Sequence, residues 1–434
     1  MKRTTCQKVF RQSAIGIAVA ISTLMGLSFA GAQTAEKASP RKSAVKKTAT
    51  NSTLKKRGSQ LVAQNSTPVP SSGTSAQVSA QVPVKPVQEQ KRTSLRWRIS
   101  TDARQWENSN ERVLSAGFGI TFDFSHIVNE NLLFKAVTGA SMRSGYVHTR
   151  FGEMSARNSI WISDGYVQGS LGSVLKLRGG IINQGVWNAS QVNDGVPFPG
   201  LLEIIRFGDE YFVQLMAGQS VPIAHEDLST RTTGTEPTPT FMAESITIGL
   251  QPQNAWLGLS LFGGHWAYHN LPRSTARDSD VGGNTLVEVD GWDRQFKYRF
   301  EGWFAGASGQ LNFSKRSYLS AHIEVSQNTQ APEAFGAAQV AGLTLTFGLP
   351  KNVDVTSGVD FFFSESDASP AYYNSTFYGH NNRQGYAVNL AANFRDLGFR
   401  IGGMFTDADV INPNPLQERQ QLYMIKFETN YAAL

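Results

Sequence analysis

From about residue 94 the chain alternates apolar and polar positions with a period of two. In 113–124 (VLSAGFGITFDF), Leu114, Ala116, Phe118, Ile120, Phe122 and Phe124 share one face, while Ser115, Gly117, Gly119, Thr121 and Asp123 share the other. The same reading fits 318–326, 353–363, 386–394 and 397–406. It also fits the closing stretch 418–431 (ERQQLYMIKFETNY), where Tyr423, Ile425, Phe427, Thr429 and Tyr431 oppose Met424, Lys426, Glu428 and Asn430. A period of two puts successive side chains on opposite faces of a strand, so each segment predicts a strand with one greasy and one wet face.

The spacing between strands carries a second pattern. Short turns are expected at 129–131, 172–173, 252–254, 315–316, 350–352 and 395–396. Long polar loops are expected at 102–111, 143–158, 184–198, 222–240, 267–296, 328–336, 364–383 and 408–418. A strict short–long alternation requires one more turn, best set at Gly208-Asp209. It divides the stretch into strands at 199–207 and 210–221. The second alternates well. The first does not, since Leu201, Leu202, Ile204, Ile205 and Arg206 lack a period of two, and a loop folded inward is the other reading.

A soluble β-sandwich would show the same alternation. The polar faces here are rich in Gly, Ser, Thr and Asn and sparse in charge, which suits a crowded or water-filled lumen. Short turns on one side and long loops on the other are the mark of an outer-membrane barrel. The fold class expected is therefore all-β: an antiparallel transmembrane β-barrel of about 16 strands, within a range of 14–18, occupying residues 93–434. An even count puts both barrel ends at the periplasmic side. Aromatic residues near strand ends (Trp97, Trp161, Trp187, Trp256, Trp266, Tyr268, Trp303, Phe313, Tyr318, Tyr423 and Tyr431) are read as interfacial girdles.

The N-terminus adds an export signal. Lys2, Arg3, Lys8 and Arg11 precede the apolar run 13–29, and Ala30-Gly31-Ala32 is a small-x-small cleavage site, so residues 1–32 read as a cleaved signal peptide. The single cysteine, Cys6, lies inside it, which leaves no disulfide framework, thiol nucleophile or cysteine metal site in the mature chain. No later stretch offers the run of 18 or more apolar residues that a membrane helix needs. Mean hydropathy is −0.26, as expected where only alternate strand residues face lipid.

Charge divides the rest. Residues 33–92 contain no Phe, Trp or Tyr and hold 11 Lys+Arg against 2 Asp+Glu. They read as a disordered basic Pro/Ser/Gln-rich periplasmic tail, either a plain linker or an electrostatic tether to an anionic surface such as peptidoglycan or lipopolysaccharide phosphates. With 40 Lys+Arg and 34 Asp+Glu in the whole chain, residues 93–434 retain 25 basic and 32 acidic residues. That acidic excess predicts a mild cation preference if the barrel is a pore.

The architecture of 94–434 resembles the sixteen-stranded porins of Gram-negative outer membranes. The likeness rests on architecture, not on a diagnostic motif. It implies a water-filled channel for passive diffusion of ions and small hydrophilic solutes, a homotrimer, contact with outer-membrane lipid and lipopolysaccharide, and a third loop that narrows the lumen. The third loop here, 184–198, carries Asp194-Gly195 near Pro197, Pro199 and Gly200, in the manner of such loops. One departure is the end, Tyr431-Ala432-Ala433-Leu434, where the family usually has a terminal aromatic. Alternation makes Arg96, Arg98, Lys176, Arg178, Arg400, Lys426 and Glu428 lumen candidates, with Asp194 facing an arginine row across a constriction. The plainer reading pairs these charges with Asp123, Glu324, Asp354, Asp360 or Glu428.

Enzyme chemistry finds little support. The seven histidines (His126, His148, His225, His265, His269, His322 and His380) show no metal-site spacing, and no nucleophile motif is present. No cofactor, metal or nucleic acid is expected. The alternative function is a non-conducting structural or adhesive barrel tethered to the cell wall by its basic tail.

Overall fold

The structure, a computed structural model, describes residues 92–109, 112–145, 157–224, 229–251, 256–289 and 293–433. The signal peptide and almost all of the tail lie outside the described residues, as does the whole turn expected at 252–254.

The barrel strands are β1 (Thr93–Glu107), β2 (Arg112–Asn129), β3 (Leu132–Gly145), β4 (Arg157–Leu171), β5 (Leu175–Asn183), β6 (Pro197–Phe207), β7 (Tyr211–Ser220), β8 (Thr240–Leu250) and β9 (Leu257–His269). A small hairpin, β10 (Leu286–Glu288) and β11 (Arg294–Phe296), stands outside the barrel sheet. The wall resumes with β12 (Phe300–Asn312), β13 (Tyr318–Asn328), β14 (Ala337–Leu349), β15 (Val353–Ser364), β16 (Arg383–Phe394), β17 (Phe399–Val410) and β18 (Gln420–Thr429). Every wall strand pairs antiparallel with the next one in the wall, and β9 pairs with β12. The sheet closes where β1 meets β18, in a register running from Ser100 opposite Glu428 to Glu107 opposite Gln421. A two-residue strand, β19 (Ala432–Ala433), continues that seam against Arg96 and Trp97. This is a closed sixteen-stranded antiparallel barrel. Closure leaves no terminal edge strand, so the ladders supply the strand-to-strand hydrogen bonding that a lipid environment demands, although β4 meets β5 only from Gly165 to Leu171.

Among the described residues, short turns at one end of the strands alternate with longer connections at the other, as the spacing required. Gly208 closes the inferred turn with φ +81°, and a Cβ there would stand 2.0 Å from the Tyr211 carbonyl oxygen, so only glycine fits. At the next-but-two turn, Lys351 and Asn352 both take positive φ (58° and 52°), the mirror-image turn that matches the right-handed twist of the flanking strands.

Two loop expectations need correction. The first loop, set at 102–111, shrinks to 108–111, because β1 runs on to Glu107. Its polar residues satisfy one another inside the barrel: Arg104 Nε donates to Asp102 at 2.7 Å, and Arg143 Nη2 reaches the same carboxylate at 3.3 Å. The fifth loop, 270–299, is structured. It holds α1 (Arg273–Val281) besides the β10–β11 hairpin.

Register divides the wall into two faces. Leu114, Phe118, Met142, Ile160, Leu201, Ile248, Leu343, Phe361, Leu390 and Ile425 point outward and are exposed. An outer surface dominated by apolar side chains is what a hydrocarbon layer requires.

Candidate functional site: the barrel lumen

The inward face is not uniform. Along β6 to β9 and β12 it is apolar: Phe198, Leu202, Ile204, Met216, Phe241, Phe262, Trp266, Tyr268, Phe300 and Phe304 form one buried cluster. These side chains are dry because two loops lie on them. The third loop, 184–196, opens with a single 3-10 turn at Gln184–Trp187, whose first residue pair is held by Asn183 accepting from the Gly185 N–H at 2.9 Å. Trp187, Ala189, Val192 and Val196 of this loop join the cluster. The Trp187 ring lies against Gly218 of β7, where a Cβ would come within 2.9 Å of it, and its indole N–H donates to Gln184 Oε1 at 2.9 Å. At its far side the loop is clamped to β13: Ser190 Oγ and the Gln191 N–H both donate to the Glu324 carboxylate at 3.0 Å.

The seventh loop, 365–382, also turns inward. Tyr373 stacks on Tyr268 with ring centroids 5.6 Å apart and meets Phe198 edge-on at 5.1 Å. Its carbonyl accepts the Asp194 N–H at 2.9 Å, and Ser369 Oγ donates to the Gln191 carbonyl at 2.6 Å. The seventh loop is tied in turn to the fifth, where Asn284 Nδ2 donates to the Ser366 and Ser369 carbonyls at 2.8 and 2.9 Å. Gln417 of the eighth loop and Asn382 are joined by a 2.9 Å hydrogen bond.

The opposite part of the wall, β17 through β18 and β1 to β3, is charged. Asp123 takes both Arg96 and Lys135. Asp102 takes Arg104 and Arg143. Glu428 takes Lys426 at 2.7 Å and Arg98 at 3.3 Å, and Arg400 stands opposite it in register. On β4 and β5, Arg178 Nε donates to Gln168 at 2.9 Å with its guanidinium over the Tyr166 ring, and Lys176 lies on the same inward face. The Tyr431 ring sits under both Arg96 and Arg98, at 5.2 and 5.0 Å.

Solved structures share this architecture. Pseudomonas putida OprB, in its high-pH structure, matches with a TM-score of 0.52 at 11% identity, over 78% of this chain and 94% of that one. Salmonella typhi OmpF gives 0.47 at 10% identity over 77% and 97%. The trimer form of OmpT, an outer membrane protein of Vibrio cholerae, gives 0.47 at 9% over 78% and 99%. No family model matches the sequence, and no curated protein does. The fold is that of the outer-membrane porins.

Within this barrel the residues singled out from sequence fall into two groups. Arg96, Arg98, Lys426, Glu428 and Arg400 lie together across the closing seam, on β1, β18 and β17, and Lys176 and Arg178 lie on β5. Asp194 is apart from all of them. It sits in the seam between the third and seventh loops, beside Ser375 and His380, where burial pushes its carboxyl up to about 6, against a Ser375 hydrogen bond and the His380 charge that both favour ionisation.

Sequence reasoning missed Asp102, Arg104, Lys135 and Arg143, the first two because 102–111 read as a loop. It also missed the inward seventh loop, although adjacent Tyr372 and Tyr373 in an otherwise polar stretch are a signal of a buried anchor. The aromatic girdle needs a matching correction. Trp256, Trp303, Phe313 and Tyr423 are exposed on the outside, but Trp187, Trp266 and Tyr268 are buried in the lumen, and Trp161 and Tyr318 point inward by register. The indole and phenol rings bury as much area against a docked loop as at a headgroup, so position along the strand does not separate the two uses.

Proposed function

We propose that this protein is an outer-membrane porin: a passive channel through which ions and small hydrophilic solutes diffuse. The observation that carries the reading is the division of the lumen. The inward loops are packed on the apolar sector, β6 to β12, while the sector from β17 to β5 carries inward charged side chains that suit a water-filled path. A barrel of this strand number is wide enough to leave an aqueous channel beside such loops. On this reading Arg96, Arg98, Lys176, Arg178, Arg400, Lys426 and Glu428 line the path, and the third loop sets its width.

The full reading includes export through a cleaved signal of residues 1–32, an outer-membrane location with lipid and lipopolysaccharide around the barrel, a homotrimer, and a basic tail, 33–92, that contacts peptidoglycan. Reconstitution of the purified protein into a planar lipid bilayer tests the core of it. Stepwise ohmic conductance is expected. A barrel that inserts, migrates in a heat-modifiable way on a denaturing gel, and never conducts would refute the channel and favour the tethered structural barrel instead.

A further inference from the structure

Selectivity follows from the charges that face the water path, because a charge more than about 8 Å from a permeating ion is largely screened at physiological ionic strength. The acidic excess of residues 93–434 is therefore informative only if it lines the path. Much of it does not. Glu203, Glu244 and Glu301 stand on the outer face of the wall, Asp209 and Glu210 are in a periplasmic turn, and Asp278 and Asp280 belong to α1. Asp194 and Asp367 are engaged within the loop seams.

The inward face of β17, β18, β1, β2 and β3 has the opposite balance. Arg400, Lys426, Arg96, Arg98, Arg104, Lys135 and Arg143 are seven cations against three carboxylates, Glu428, Asp102 and Asp123. Each carboxylate already serves two cations. Sharing lets every acid stay ionised while leaving positive charge over. On β4 and β5, Lys176 and Arg178 add two more cations beside the single Asp164. The side chains of Arg96 and Arg98 are 49% and 24% exposed, so this surplus meets water, and the Arg98 Nε–H has no acceptor among the described residues.

We infer that the channel conducts anions in preference to cations, and that small oxyanions bearing carboxylate or phosphate are its preferred solutes, drawn along the basic strip from Arg400 and Lys426 to Arg98 and Arg96. The inference rests on the channel reading above. A guanidinium presents paired N–H donors that match two oxygens of such an anion, and Lys426 adds a point charge within the same strip.

Reversal potentials across a bilayer in a potassium chloride gradient test this, since the two ions move at similar rates in water. The wild-type potential should take the sign of chloride preference. Arg400→Gln combined with Lys426→Gln should shift it toward zero. Asp123→Asn, which frees Arg96 and Lys135, should shift it the other way. Inorganic phosphate should depress the chloride current of the wild type more than that of the double variant. Cation preference in the wild type, or potentials that ignore all three substitutions in folded barrels, would overturn the inference while leaving a working channel. Absence of any conductance would remove the channel reading itself.

Discussion

Trp187→Ala tests whether the third loop is held in the lumen by burial of its own apolar side chains. Trp187 is 4% exposed and inserts into the cluster formed by the inward faces of β6 to β9 and β12. An undocked loop would expose it to water in the channel mouth, so the hydrophobic effect applies here as it does in a soluble core. Truncation of a buried Trp to Ala costs about 3–5 kcal/mol. At 1.36 kcal/mol per decade, this lowers the docking equilibrium by roughly two to four powers of ten. The Ser190 and Gln191 bonds to Glu324 and the Tyr373 contact remain, so the loop is expected to visit undocked states instead of leaving altogether. The barrel should survive, because Trp187 takes no part in any strand pairing. Single-channel recording should then show larger and noisier conductance, and limited proteolysis should cut within 184–196 where the wild type is protected. Heat-modifiable migration should be retained. Unchanged traces and unchanged protection would show that the cluster does not hold the loop. Loss of the folded barrel would show that the loop is needed for assembly.

Other outcomes follow from the same geometry. Gly218→Leu sets a side chain where the Trp187 ring lies, and should displace the loop with the same electrical signature while Trp187 remains intact. Glu324→Ala leaves the buried Gln191 N–H without its acceptor, a loss of about 1–3 kcal/mol, and protease protection of the third loop should fall. The Asp194 carboxyl rises from 3.8 to about 6 on docking, so the buried neutral form is favoured. The resulting cost to the loop seam is absent below the lower value, grows as pH rises between the two and is constant above; channel noise should be lower in acid than at neutral pH, and Asp194→Asn should reduce the difference. Ile425→Lys puts a charge on the lipid face near the middle of β18, at about 2–4 kcal/mol, and should weaken folding into lipid vesicles in a urea titration, whereas Lys426 beside it carries its charge inward.

Much of the fold was legible because a strand's two faces meet different media. Tyr423, Ile425 and Phe427 against Met424, Lys426 and Glu428 identify the outward and inward faces of β18 before any coordinate is known. Where the rule failed, the medium had changed. β6 shows no clean alternation of apolar and polar residues, since Leu201 and Ile205 face outward while Leu202 and Ile204 are buried under the third loop, so apolar side chains fall on both of its faces. The candidate site was legible in part for the same reason. Arg96, Arg98, Arg400 and Lys426 were marked by parity alone, but parity says nothing of which charges meet.

The sequence by itself therefore determined the barrel class, a strand count near sixteen and the two faces of the alternating strands, because turn spacing and a period of two are local properties. Tertiary structure alone decided what the lumen contains. Closure brings β18 beside β1, so that Glu428 meets Arg98 across 330 positions of chain, and the packing of the third and seventh loops fills one half with Trp187 and Tyr373. The sign of the surviving charged half depends on which residues those contacts neutralise or cover, and no count along the chain contains that information.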